Sequence, residues 1–122
     1  KRIICLAGDG GLQVNIGELA TATQEGVRIT LILMNSQDYE VIKNIQDAQY
    51  GGRRYFSDIF TPDFSAVAES NGWQYEKLSD LTNASIAIGN ALKSNGSTMI
   101  EVDMATIGAY ARPFGGPPVK KD

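Results

Sequence analysis

Two short polar clusters hold the residues of this chain best suited to chemistry: Gly8-Asp9-Gly10-Gly11 and Asn35-Ser36-Gln37-Asp38. The first follows the apolar run Ile3-Ile4-Cys5-Leu6-Ala7, and the second follows Val27 to Met34, so each lies where a buried strand should end. In open α/β sheets ligands bind beyond the carboxyl ends of the strands, which puts both clusters on one rim. Glycines let backbone amides approach a phosphate closely, and a helix that follows points its positive end at the same place. Asp9 would repel a phosphate directly. It makes sense beside a hard divalent cation, held by oxygen ligands and sharing its remaining positions with the phosphates. Taken alone, Gly-Asp-Gly is also the composition of an ordinary turn, and the third glycine of the dinucleotide fingerprint is missing. The second cluster, one crossover away, gives the ligand reading its weight.

Composition narrows the chemistry. The 122 residues contain no histidine, which removes Ser-His and Cys-His nucleophile pairs and the usual zinc sites. The one cysteine, Cys5, sits in an apolar run and is expected to be a buried structural thiol; nothing suggests disulfides, and a reducing cytoplasm fits. A net charge of −3 leaves no basic footprint for nucleic acid or anionic membranes. No apolar run approaches the roughly 20 residues of a membrane span. What remains are carboxylates, amides, hydroxyls, backbone groups or a borrowed cofactor.

The elements that must position the two clusters alternate. After the first strand and its glycine turn, Ile16, Leu19, Ala20 and Thr23 recur at helical spacing, predicting a helix from Val14–Asn15 to Gly26. A second strand, Val27 to Met34, is followed by a short helix marked by Val41, Ile42 and Ile45. Residues 48 to 60, with Gly51, Gly52, Arg53 and Arg54, read as an exposed loop. Thr61-Pro62-Asp63 predicts a helix start with Thr61 as N-cap and Pro62 at the first helical position. That helix stops at Asn71-Gly72; strands at Trp73–Leu78 and Thr98–Val102 flank a helix with Leu81, Ala84, Ile88, Ala91 and Leu92 on one face. Trp73 and Tyr75 are assigned to core or interface, and the arginine pair to a solvated loop. The expected fold is α/β, a mostly parallel sheet with helices on both faces, over residues 1–104, with an extended tail over 105–122. Four strands are few for a doubly covered sheet, and the first begins within two residues of Lys1 without an initiator Met. The chain is therefore expected to be a piece of a larger enzyme, incomplete at its N-terminal side.

Gly8-Asp9-Gly10, the stretch Asn15-Ile16-Gly17-Glu18-Leu19-Ala20-Thr21-Ala22, a strand and then Asn35 resemble the signature of thiamine-diphosphate-dependent enzymes, G-D-G followed at a distance by N-N. The likeness continues through Tyr39, Gly51-Gly52-Arg53 and Thr61-Pro62-Asp63-Phe64, and is strongest to the C-terminal cofactor-binding domain of acetolactate-synthase-like enzymes. The resemblance implies that thiamine diphosphate is held through Mg²⁺, with Asp9, Ser36 and the main-chain carbonyl of Asp38 as metal ligands. It places Gly8, Gly10, Gly11, Asn35 and Tyr39 around the cofactor as well. Two positions depart from the pattern: Ser36 replaces the second asparagine, and Glu40 stands where glycine is common. A hydroxyl reaches less far than an amide carbonyl, and Glu40 adds charge beside a diphosphate.

By the same resemblance the parent is a lyase or transferase that decarboxylates a small 2-oxo acid, joins it to a second carbonyl, or both. No catalytic residue is assigned to this chain, because the family's activating glutamate comes from a different domain, usually on a partner subunit. A homodimer or homotetramer is implied, and the isolated 122 residues are expected to be inactive. Two rivals stand beside this reading: a non-catalytic module of the same fold with weakened cofactor binding, and a nucleotide or flavin module that needs no divalent ion. A lid formed by Tyr110–Pro118 is a further expectation, beside simple packing of that stretch.

Overall fold

The computed structural model describes residues 2–108 and 114–118. Four strands, β1 (Ile3–Gly8), β2 (Ile29–Asn35), β3 (Gln74–Leu78) and β4 (Thr98–Asp103), form one parallel sheet in the order β1-β2-β4-β3. Register fixes the rim. Gly8 pairs with Met34, and Asn35 with Asp103, so the turns leaving β1 and β2 emerge side by side.

Successive strand residues point to opposite faces, and the core divides accordingly. Leu31 and Leu33 of β2 and Met99 of β4 pack with Leu12, Leu19, Phe64, Ala68 and Trp73 on one face. Leu78 and Ile100 pack with Ala87 and Ala91 on the other. Helices α1 (Asp9–Val14), α2 (Glu18–Gln24) and α4 (Phe64–Ser70) cover the first face, and α5 (Ala84–Lys93) covers the second. This is the expected α/β sheet with helices on both faces. Phe64 is 1% exposed at the centre of the larger cluster. Phe64→Ala should destabilise the protein by about 3–5 kcal/mol, read from a denaturant midpoint, because the cavity collapses only partly.

Several local expectations are corrected. The first helix begins at Asp9, directly after β1, and not near Val14–Asn15; Gly8 is its N-cap, in extended conformation. Packing overrides the poor helix propensity of Gly10 and Gly11. The helix breaks at Asn15 and resumes at Glu18. The N-cap of α4 is Asp63 and not Thr61, because its carboxylate accepts the amides of Ser65 (2.9 Å) and Ala66 (3.3 Å). Leu81 lies in a single 3-10 turn ahead of α5 and is exposed, so it leaves the core face. A short helix, α6 (Met104–Ile107), follows β4 where an extended tail was expected.

Cys5 is exposed, not buried: β1 pairs only with β2 among the described residues, and Ile3, Ile4 and Leu6 beside it are also exposed. Trp73 is a core residue whose indole N–H donates to the Leu19 carbonyl and to Thr23 Oγ1. Helix α3 (Glu40–Gln49) matches the expected short helix, and Gln49 Nε2 donates to the carbonyls of Gly115 and Pro117. Of the proposed lid, residues 110–113 lie outside the described residues. No helix of the described residues is long and apolar enough to cross a membrane.

Candidate functional site

Asp9 joins the two polar turns. It is 3% exposed; its Oδ1 accepts the Gly10 amide at 2.9 Å, and its Oδ2 accepts the Gln37 amide at 2.6 Å. Gln37 holds the left-handed conformation, φ 60°, which is uncommon for a residue with a side chain. Its amide also reaches Asn35 Oδ1 at 3.2 Å.

Behind this contact lies a second buried carboxylate. Glu101 is 5% exposed; its Oε1 accepts Asn35 Nδ2 at 2.8 Å and its Oε2 accepts the Tyr75 hydroxyl at 2.7 Å. Burial, reinforced by the Glu101 bond, holds the Tyr75 hydroxyl in its protonated form well beyond the ordinary tyrosine range. Sequence reading passed over Glu101, although a charged residue inside Thr98-Met99-Ile100-Glu101-Val102 was the available signal. Nothing in the sequence pointed to Gln37 as a backbone donor.

Seven of the residues singled out, Gly8, Asp9, Gly10, Gly11, Ser36, Asp38 and Tyr39, line one open cleft of about 180 Å³, together with Glu40. Asn35 does not line it; it is buried and fixes the turn from behind. A Cβ at Gly8 or Gly11 would meet no atom within 4 Å, so these glycines leave open space at the cleft. At Gly10 a Cβ would collide with the Tyr39 ring, so glycine there allows that ring to lie against α1.

The oxygen groups at the cleft suit a hard cation: the Asp9 carboxylate, the Ser36 hydroxyl and the Asp38 carbonyl. Among the described residues no group of three or more His, Cys, Asp or Glu side chains is placed to hold a metal. A cation here must therefore take hydroxyl, carbonyl and ligand oxygens as well as Asp9. That donor set, with the open glycine turn, fits a metal–phosphate group.

The arginine pair is exposed, as expected of a solvated loop. Arg54 makes a two-pronged pair with Asp47 at 2.8 and 2.6 Å, and Arg53 Nε donates to the Tyr50 carbonyl. Both contacts tie the exposed loop to α3.

A parallel α/β sheet with a Gly-Asp-Gly turn facing a second polar turn on one rim defines a cofactor-binding domain of the thiamine-diphosphate type. Residues 1–102 match the family described as thiamine pyrophosphate enzyme, C-terminal TPP binding domain, and the chain belongs to that family. It is similar to the acetolactate synthase large subunit of Haemophilus influenzae, 41% identical over 57% of this chain and 12% of the relative. The acetolactate synthase large subunit of Parasynechococcus marenigrum is 31% identical over 84% of this chain and 17% of the relative. Among solved structures, a thiamine-diphosphate-dependent 4-hydroxybenzoylformate decarboxylase of Rhodococcus jostii RHA1 superposes with a TM-score of 0.76. It is 25% identical, over 84% of this chain and 19% of that one. The chain thus spans less than a fifth of the length of these relatives.

Proposed function

We propose that this chain is the Mg²⁺–diphosphate anchor of an acetolactate-synthase-like enzyme that decarboxylates or joins small 2-oxo acids. The observation that carries the reading is the 2.6 Å bond from the Gln37 amide to Asp9, which holds both polar turns at one cleft. Asp9 supplies negative charge to the cation, with Ser36 Oγ and the Asp38 carbonyl as neutral oxygens. Gly8 and Gly11 leave room for the diphosphate. When bound, thiamine diphosphate supplies the carbon nucleophile for 2-oxo acids; the share of this chain is binding and orientation.

The cleft is smaller than the roughly 300–1,000 Å³ of a pocket for a whole drug-sized ligand, which suits a head group. The rest of the cofactor, the activating glutamate and the substrate pocket are assigned to other domains of a cytoplasmic homodimer or homotetramer. A 2-oxo acid decarboxylase of the same superfamily is the neighbouring alternative, favoured by the likeness to the Rhodococcus enzyme.

Calorimetric titration of the full-length natural protein tests the proposal. Thiamine diphosphate should bind with Mg²⁺ present, lose at least about tenfold in affinity with a chelator, and recover when Mg²⁺ is restored. Absence of binding under all conditions would instead favour a non-catalytic module, to which Ser36 and Glu40 point. Equal binding with and without a divalent ion would discard the metal anchor.

A further inference from the structure

We propose that Lys43 is a positioning residue for the divalent cation, acting through Asp38 and Asp58 to aim the Ser36 oxygen into the cleft. The proposal rests on the metal-anchor reading above. Its structural basis is a strap. Residues Ser57–Ile59 run antiparallel to Gln37–Tyr39: the Tyr39 amide donates to the Ser57 carbonyl at 2.7 Å, and the Ile59 amide donates to the Gln37 carbonyl at 3.3 Å. This pairing sets Asp38 directly opposite Asp58. Like charges facing one another across paired strands repel.

Lys43, one turn into α3, resolves that repulsion. Its ammonium lies 2.8 Å from Asp38 Oδ2 and 2.6 Å from Asp58 Oδ1, with its side chain 19% exposed. The other oxygen of Asp38, Oδ1, is the nearer acceptor of the Ser36 hydroxyl at 3.0 Å, with the Asp38 carbonyl a second acceptor at 3.3 Å. A serine hydroxyl has one proton and two lone pairs. With the proton committed to Asp38, the lone pairs are left for an acceptor role at the cleft that Ser36 lines. The relay Asp58–Lys43–Asp38–Ser36 thus answers the short reach of serine at this position: it fixes both the rotamer and the polarity of the hydroxyl. Partners one step removed from a metal commonly change its affinity by about 10–100-fold.

The test uses Lys43→Met, Lys43→Arg and Asp58→Asn in the full-length natural protein, with two readouts. Without cofactor, hydrogen exchange at the Tyr39 amide should accelerate in Lys43→Met and stay near the natural rate in Lys43→Arg. With cofactor, the Mg²⁺ concentration for half-maximal thiamine diphosphate binding should rise about tenfold or more in Lys43→Met. The rise should be smaller in Asp58→Asn, whose side chain is 87% exposed, and arginine should restore the natural value. At saturating Mg²⁺ the cofactor affinity should return to that of the natural protein in every variant. A general folding defect would not show that split. Faster exchange with an unchanged Mg²⁺ requirement overturns the positioning role while leaving the metal anchor intact. Unchanged exchange in Lys43→Met shows that the strap holds without Lys43 and overturns the relay. If the natural protein shows no Mg²⁺-dependent binding, the anchor reading fails and takes this proposal with it.

Discussion

Asp9→Ala should raise the dissociation constant for thiamine diphosphate with Mg²⁺ by at least about 100-fold, beyond what residues one step removed from a metal usually contribute. The same substitution should lower stability. Asp9 is buried and accepts two backbone amides, from Gly10 and Gln37. Leaving a buried donor without its acceptor costs about 1–3 kcal/mol. The Gln37 amide keeps Asn35 Oδ1 as a partner, and removing a buried carboxylate relieves its desolvation, so the net loss should fall at the low end. Asp9→Asn separates the two effects. One oxygen still accepts an amide, but the second position becomes an NH₂ facing another donor, and the charge is gone. Binding should therefore fall nearly as far as in Asp9→Ala while the thermal midpoint falls less. Titration calorimetry and a melting curve on each variant read both quantities. If Asp9→Asn binds the cofactor as tightly as the natural protein does, the carboxylate is not the metal anchor.

How much of this was legible follows from the kind of signal each feature leaves. The strands announced themselves because Ile3–Ala7 and Val27–Met34 are continuous apolar runs, the pattern of parallel-sheet strands. Their shared rim followed from parallel topology alone. The start of α1 was misplaced because Gly10 and Gly11 read as a turn; their helical conformation comes from tertiary contact, with the Tyr39 ring packed against Gly10. Cys5 was misjudged for a related reason. An apolar run marks a strand, but it does not say whether the strand is central or at an edge. The strap around Asp58 left no local trace, since its partners are 15 to 22 residues away and meet only through the fold. Charge pairs of that kind have no periodicity to detect.

The second large effect is expected at Glu101, which no spacing argument would have placed near the site. Glu101→Ala should destabilise the protein by about 1–3 kcal/mol for each of the two donors left without an acceptor, part of it offset because the carboxylate's own desolvation is relieved. Its two oxygens accept from Asn35 and Tyr75, and both donors would be left in a largely buried layer. Glu101→Gln should be milder, since an amide oxygen satisfies one of the two donors while its NH₂ opposes the other. Tyr75→Phe takes one donor from the carboxylate and should cost about 1.5 kcal/mol, the low end for a hydrogen bond to a charged group. Melting midpoints should therefore fall in the order Tyr75→Phe, Glu101→Gln, Glu101→Ala. Mg²⁺ dependence should sort the same variants differently. Tyr75 touches only the far oxygen of Glu101, so Tyr75→Phe should leave the Mg²⁺ requirement unchanged. Asn35, in contrast, ties Glu101 to the Gln37 amide that also binds Asp9, so Glu101→Ala should raise the Mg²⁺ requirement as well as lower the midpoint. A Glu101→Ala protein that melts early yet needs no more Mg²⁺ would show that Asn35 holds the turn without help from the strand behind it.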